Sequence, residues 1–470
     1  MSMTANVPAP TPPADGLPAD ARRWAVLALA ISVGMATLDT AIANTALPTI
    51  AGDLQASPAA SVWVVNAYQL AMVATLLPFA ALGEILGYRR IFLGGLALFT
   101  LASLACALSW SLPTLTAARV LQGIGASGIM SVNTALLRFI YPKRLLGRGM
   151  GLNAMVVAIA FAVGPTIASV ILAMGTWPWL FAINVPLGAI SLIFALRALP
   201  HTSRASHSFD ALVAFYNVGT FSLLILALGE AAHQVDAKTV LIELAGALVF
   251  GALLLRRQAG HPALMLPVDL FRRPMFALST VTAICTFAAQ GLAFVSLPFY
   301  FETVLGRSQV ETGFLMTPWP VVVGLMAPIA GRLSDKYSPA ALGGIGLSAL
   351  CVGMVLLALL PPHPSVFNIA WRMGVCGAGF GFFQAPNLRA IMGSAPPHRS
   401  GSASGIVATA RLLGQTIGAA LVALCFTLST ARGPTLALAT GAVFAGVASI
   451  ASLMRMFADN PFDGKKGAQA

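Results

Sequence analysis

Residues 24–48 read WAVLALAISVGMATLDTAIANTALP, 25 residues with no Lys or Arg and a single acid, Asp39. A helix needs about 20 apolar residues to cross the ~30 Å hydrocarbon layer of a bilayer, so this stretch reads as a membrane span. The same length and apolarity recur near 61–82, 90–111, 113–138, 148–174, 178–200, 211–230, 238–256, 276–303, 311–333, 339–361, 366–393, 401–429 and 434–457. The pattern predicts an all-α polytopic membrane protein with fourteen transmembrane helices. Composition agrees: 58% hydrophobic and 9% charged residues with a mean hydropathy of +0.85 lie outside the globular range.

Basic residues set the orientation, because positive loops stay on the cytoplasmic side. Of the 27 Lys and Arg, 21 fall on the side holding both termini, including the Arg22, Arg89, Arg138, Arg256, Arg332 and Arg455 groups. Lys238, Arg307 and Arg432 fall on the other side, and Arg119, Arg372 and Arg411 lie within spans. Both termini are therefore expected in the cytoplasm. The +12 net charge is accounted for by these helix-end residues facing an anionic leaflet, which argues against nucleic-acid binding. The Pro-rich start, 7–19, lacks the regions of a cleaved signal peptide and reads as a tail, with helix 1 directing insertion. All five cysteines lie within spans without metal-ligand spacing, as small packing residues.

An internal repeat divides the chain. Ala-Ala-Leu-Gly-Glu-Ile-Leu at 80–86 corresponds to Gly-Arg-Leu-Ser-Asp-Lys-Tyr at 331–337, pairing Glu84 with Asp335. Arg119 follows Glu84 by 35 residues and Arg372 follows Asp335 by 37, which makes the two arginines repeat equivalents. The expected organisation is a tail (1–23), a six-helix bundle (24–200), two inserted helices with their loops (201–275), a second six-helix bundle (276–457) and a short tail (458–470). Repeated halves across a membrane are a transporter architecture.

An ionised side chain at mid-membrane costs ~2.5–3.5 kcal/mol even on the lenient insertion scale. Asp39 lies 15 residues into helix 1, about 22 Å from its start at 1.5 Å per residue. Arg119 lies about 9 Å below the opposite surface in helix 4, a comparable depth, so the two are expected to meet. Separating such a pair couples helix motion to proton uptake. The other reading, a static ion pair that fixes packing, is weakened because buried pairs stabilise poorly relative to apolar substitutes. No acid occupies the matching place in helix 9, so the second bundle is expected not to take up protons. Glu243 and Glu302 lie near outer helix ends and are expected to be structural, Glu302 being the better functional candidate.

At this point the chain resembles the fourteen-helix drug:proton antiporters of the major facilitator superfamily. Leu38-Asp39-Thr40-Ala41-Ile42-Ala43-Asn44-Thr45-Ala46-Leu47-Pro48 is similar to that family's helix 1 signature, Arg119-Val120-Leu121-Gln122-Gly123 to its helix 4 motif, and Gly164-Pro165 to its antiporter motif. Trp177 to Gly188 resembles the stretch leading into helix 6. The resemblance implies the major facilitator fold, a bacterial cytoplasmic-membrane location, and roles in proton coupling for Asp39 and Arg119. It further implies gating by Glu84, Arg89, Gly164, Pro165 and Asp335. Cavity positions carried over by helix are Asn44, Tyr68, Gln69, Gln122, Trp319, Arg372, Gln384, Asn387, Arg411 and Gln415; buried amides among them could equally join helices. The chain departs from the family with Glu84 in place of Asp, Ile85 in place of Arg, and Ala168 and Ser169 in place of paired glycines. Pro165 removes the backbone bond to the Phe161 carbonyl and bends its helix, a shape a gate can use.

Several motifs are refused. Gly377-Ala378-Gly379-Phe380-Gly381 follows no strand and lies in a membrane helix, so it is no dinucleotide site. No Walker lysine, zinc or nucleophile-elbow pattern occurs. The sequence thus leads to a non-enzymatic, proton-driven exporter of small amphiphiles working by alternating access, its partners being protons, substrate and the bilayer. A monomer without metal or cofactor is expected. One acid against three in-span arginines disfavours permanently cationic substrates and leaves neutral or weakly acidic ones. An importer of a small organic nutrient, a sensor and a membrane enzyme are the alternatives.

Overall fold

The computed structural model describes residues 16–202, 209–232, 237–258, 268–334, 336–395, 400–429 and 432–457. Its helices are α1 (Ala19–Asp53), α2 (Pro58–Leu86), α3 (Tyr88–Ala107), α4 (Leu112–Ile140), α5 (Leu146–Met174), α6 (Pro178–Ala198), α7 (Ala211–Ala232), α8 (Ala237–Gln258), α9 (Pro274–Val304), α10 (Gln309–Leu333), α11 (Pro339–Ala358), α12 (Val366–Ser394), α13 (Ser400–Leu428) and α14 (Gly433–Met454). Among the described residues there is no strand, and thirteen of these helices are long and apolar enough to cross a membrane. The exception, α7, carries a shorter apolar stretch, Ala211–Ala227.

Local chemistry starts and seals the helices. Ser111 and Thr114 form a reciprocal capping box on α4, as Ser308 and Glu311 do on α10, so orphan N–H groups are met at the helix starts. Inside, many Ser and Thr hydroxyls return a hydrogen bond to the carbonyl four residues back, as Ser103, Thr286 and Thr416 do. In apolar surroundings this bond satisfies the hydroxyl donor locally.

Helix neighbours repeat between halves. The pairs α3–α4, α2–α4, α1–α5 and α1–α6 recur as α11–α12, α10–α12, α9–α13 and α9–α14. The α7–α8 hairpin rests on α2 and α13, and Asn217 of α7 donates to the Ala74 carbonyl at 2.9 Å. At the end away from the termini the bundles are shut. There Ile42, Leu47 and Val62 of the first bundle share one apolar core with Val295, Phe299, Val422 and Phe426 of the second. Polar ties cross the same seam: Gln309 Nε2 donates to Thr49 Oγ1 (2.9 Å), Ser169 Oγ to the Gln309 carbonyl (2.8 Å), and Thr166 and Thr317 share a bond of 3.0 Å. At the terminus-bearing end a cavity of about 480 Å³ lies between the bundles.

Candidate functional site

Asp39 and Arg119 meet, and both are sealed inside the first bundle, 1% and 0% exposed. Arg119 Nη1 donates to Asp39 Oδ2 and, at 2.6 Å, to Gln122 Oε1, while Nε reaches the Val64 carbonyl at 2.9 Å. The other carboxylate oxygen, Oδ1, accepts from Gln122 Nε2 (2.8 Å) and Asn184 Nδ2 (3.0 Å), and Gln122 is steadied by Ser103 Oγ at 2.9 Å. Five helices, α1, α2, α3, α4 and α6, thus close one network. The guanidinium also lies over the Tyr68 ring at 4.2 Å, with Phe181 on another side at 5.5 Å. These contacts meet the condition under which two charges tolerate a low-dielectric interior, namely satisfaction of nearly all their hydrogen-bonding capacity; the buried Arg119 Nη2 is left without a bond.

Tyr68 is shared ground. Its hydroxyl donates to the Ala36 carbonyl at 3.2 Å, and both the Asp39–Arg119 pair and Arg411 of α13 lie within its electrostatic reach. The ring, 1% exposed, is therefore a buried neighbour of the ion pair that also feels the charge of a cavity-lining arginine. Asn184 and Ser103 were not singled out from sequence. The depth argument that joined Asp39 to Arg119 applies to Asn184 as well, six residues into α6, or ~9 Å.

The cavity wall carries Gln384, Asn387 and Arg411 from the expected set, together with Glu84, Tyr88 and Arg138 toward the terminus-bearing end. The remaining expected cavity residues sit elsewhere. Gln122 and Tyr68 belong to the ion-pair network, where buried charge demands them. Trp319, Asn44 and Gln69 are buried in helix packing, and Gln415 donates to Gln290 Oε1 at 3.1 Å.

Arg372 is corrected on two counts. It does not line the cavity: its Nη1 donates to the Leu356 and Leu359 carbonyls at the end of α11, and its guanidinium lies 5.4 Å from the Trp371 ring. Nor does it match Arg119. A Cβ on Gly123 would fall 2.3 Å from the Tyr68 carbonyl and one on Gly377 2.4 Å from the Trp319 carbonyl, while Gly125 and Gly379 each abut the next helix in the same way. That register aligns Arg119 with the buried Met373. One residue turns a helix by about 100°, which sends Arg372 outward to unpaired carbonyls.

Among the gating candidates, Gly164 admits α1 closely, since a Cβ there would fall 2.4 Å from the Ala41 Cβ. Pro165 faces Gly313 of α10 across the bundles. Gly87, at φ +97°, turns the chain into α3. Beyond it Tyr88 N donates to Thr202 Oγ1 at 3.0 Å, and Arg89 meets His201 Nε2 at 2.9 Å and the Leu196 carbonyl at 2.5 Å, tying the α2–α3 turn to the end of α6. Asp335 lies outside the described residues. Arg455, counted from sequence among the loop charges, is buried: Nη1 donates to Asn387 Oδ1 (2.7 Å) and Ser279 Oγ (3.0 Å), and Nη2 to Ser452 Oγ. Among the described residues no cluster of His, Cys, Asp or Glu could hold a metal.

The family model described as the Major Facilitator Superfamily matches residues 29–419, and the chain belongs to that family. It is 53% identical over 94% of its length, and 97% of the other, to the uncharacterized transporter YebQ of Escherichia coli. It is 32% identical to the riboflavin transporter RibZ of Clostridioides difficile, covering 87% and 89% of the two chains. Likewise it is 32% identical to the tetracenomycin C resistance and export protein of Streptomyces glaucescens, covering 87% and 77%. A solved structure of a bacterial homolog of the human lysosomal transporter Spinster, inward-facing and unoccupied, shares the fold at TM-score 0.69 and 15% identity, covering 95% and 100%. The protein is therefore a multi-pass membrane transporter of small molecules.

Proposed function

We propose that this transporter is a proton-driven exporter of small amphiphilic organic compounds. By the distribution of basic residues the open cavity faces the cytoplasm, and an amphiphile enters it while the far seam is shut. In the opposite state protons reach Asp39. A proton there removes the charge that holds Arg119, so the five-helix network loosens and the bundle's shape changes. Conformers whose proton affinity at Asp39 differs by one pKa unit differ in relative stability by about 1.4 kcal/mol, or tenfold. A few units suffice to drive the cycle.

The observation that carries this reading is the Asp39–Arg119 pair itself, buried in one bundle with the guanidinium over the Tyr68 ring. Five helices contribute to the network around this pair, so a change in its charge would be felt by all of them. The export-protein relative supports the direction. The test is transport in proteoliposomes under an imposed pH gradient. Asp39→Asn is expected to fold, insert and bind substrate, yet lose gradient-driven accumulation; retention of full coupled transport would overturn the proposal. Flux direction in the same vesicles separates export from the second reading, import of an organic nutrient, which the riboflavin transporter relative keeps in view.

A further inference from the structure

Arg411 is an unusual cation. It lies 11 residues into α13, about 17 Å along the helix and so near the middle of the membrane, and it is part-exposed on the cavity wall. Its Nε is buried without a hydrogen-bond partner. Among the described residues no carboxylate pairs with it and no carbonyl accepts from it. Arg119, at a similar remove from water, has a carboxylate, an amide, a carbonyl and an aromatic face. Arg372 and Arg455 likewise give Nη donors to protein oxygens, although Arg372 Nε, like that of Arg411, is buried without a bond. Of these four in-bundle arginines, Arg411 alone lines the cavity, and it alone has no hydrogen bond to a described residue.

The other charged residues lining the cavity, Glu84 and Arg138, flank Tyr88 toward the terminus-bearing end. Asn387 is committed to Ser279 and Arg455. Met72, Leu76, Phe287 and Leu412 supply an apolar lining near Arg411 and Gln384 an amide. A planar guanidinium in such surroundings matches a carboxylate bidentately, and low-dielectric walls strengthen that contact and repel a cation.

We propose that Arg411 is the docking point for an acidic group on the transported molecule, and that the cavity selects monoanionic amphiphiles over neutral and cationic ones. The proposal rests on the transporter reading in taking this cavity as the substrate's path, and it is independent of direction and of proton coupling.

The test uses the purified full-length chain in neutral detergent, without a gradient, and three probes that share one fluorophore: dansylglycine (carboxylate), dansylglycinamide (neutral) and dansylcadaverine (amine). Saturable binding is read by dansyl fluorescence against protein-free micelles. Dansylglycine is expected to bind at least tenfold tighter than either analogue; Arg411→Gln is expected to abolish that preference and Arg411→Lys to retain most of it. Equal or tighter binding of the amide or amine, no saturable binding of any probe, or a preference that survives in Arg411→Gln would overturn the proposal. The wild-type ranking needs no variant, so misfolding of Arg411→Gln cannot shelter it. Asp39→Asn separates the two readings: loss of coupled transport with the acid preference intact supports both. An acid preference without outward proton-driven flux sinks only the export reading.

Discussion

Gly313 in α10 is the place where a single methyl group should move the whole transport equilibrium. A Cβ there would fall 1.8 Å from Ser169 Oγ and 2.5 Å from the Pro165 carbonyl of α5. The serine can rotate away, but Pro165 O is backbone, so α5 and α10 must separate. These helices belong to different bundles, and they touch because the seam away from the termini is shut. Overpacking of this kind costs ~1–3 kcal/mol, and here the cost falls only on the closed-seam state. The population of the opposite state should rise about five- to 140-fold at 1.4 kcal/mol per decade. Gly164→Ala is the matched control: its Cβ would fall 2.4 Å from the Ala41 Cβ, but α1 and α5 share a bundle. That clash persists in both states and should lower stability without shifting their balance. The assay places Val295→Cys, at a position 1% exposed in the seam, in a background without the five native cysteines, and measures labelling by an impermeant maleimide from the outer side. Gly313→Ala should label faster than its parent and Gly164→Ala at the parent rate. Equal labelling of Gly313→Ala and its parent, or a matching rise in Gly164→Ala, would refute the reasoning.

Two arginines give further tests. Arg372→Gln should lower thermal stability by about 1 kcal/mol, a charged hydrogen bond discounted for partial exposure, while KM for transport stays unchanged; a raised KM would return Arg372 to the cavity. Arg455→Met strands the Asn387 carbonyl oxygen and should cost ~1–3 kcal/mol, read as an earlier unfolding transition of the purified protein, and an unchanged transition would show that the three-helix tie carries no weight.

Periodicity and length carried the fold because a bilayer admits few solutions: every span must be helical and about 20 residues long. Even α7, with its shorter apolar run, stood out between Asp210 and the next charged loop. The Asp39–Arg119 contact was legible for a similar reason, since depth along a helix is arithmetic at 1.5 Å per residue. Azimuth was not. Depth says nothing about which way a side chain points, and Tyr68, Gln122 and Trp319, each expected on the cavity, turned into bundle interiors. Arg372 shows how fine the margin is. The loop landmarks gave spacings of 35 and 37, and the surplus residues could not be placed without the glycine contacts that align Gly123 with Gly377. Arg455 was invisible on other grounds, since a basic residue just past a helix end is ordinarily solvated, and only packing against α9 and α12 takes it from water.

The two bundles divide their charge in a way that fits a division of labour. In the first, the deep cation is matched by a deep acid and stacked on an aromatic ring, so in the proposed cycle that bundle's net charge is the one that changes with a proton. In the second, Met373 fills the place of Arg119 and Arg411 faces the cavity unmatched, leaving that bundle with a fixed positive wall. A fixed charge cannot sense a pH gradient, and a buried, internally satisfied pair cannot hold a solute. Coupling then requires that the two communicate. Tyr68 has the position for it, with Arg119 against its face and Arg411 within electrostatic reach. In the proposed cycle, loosening of Arg119 on protonation of Asp39 would free a ring that lies within electrostatic reach of Arg411. Proton arrival would thereby alter the surroundings of the cation that we infer holds the substrate, without proton and substrate sharing an atom.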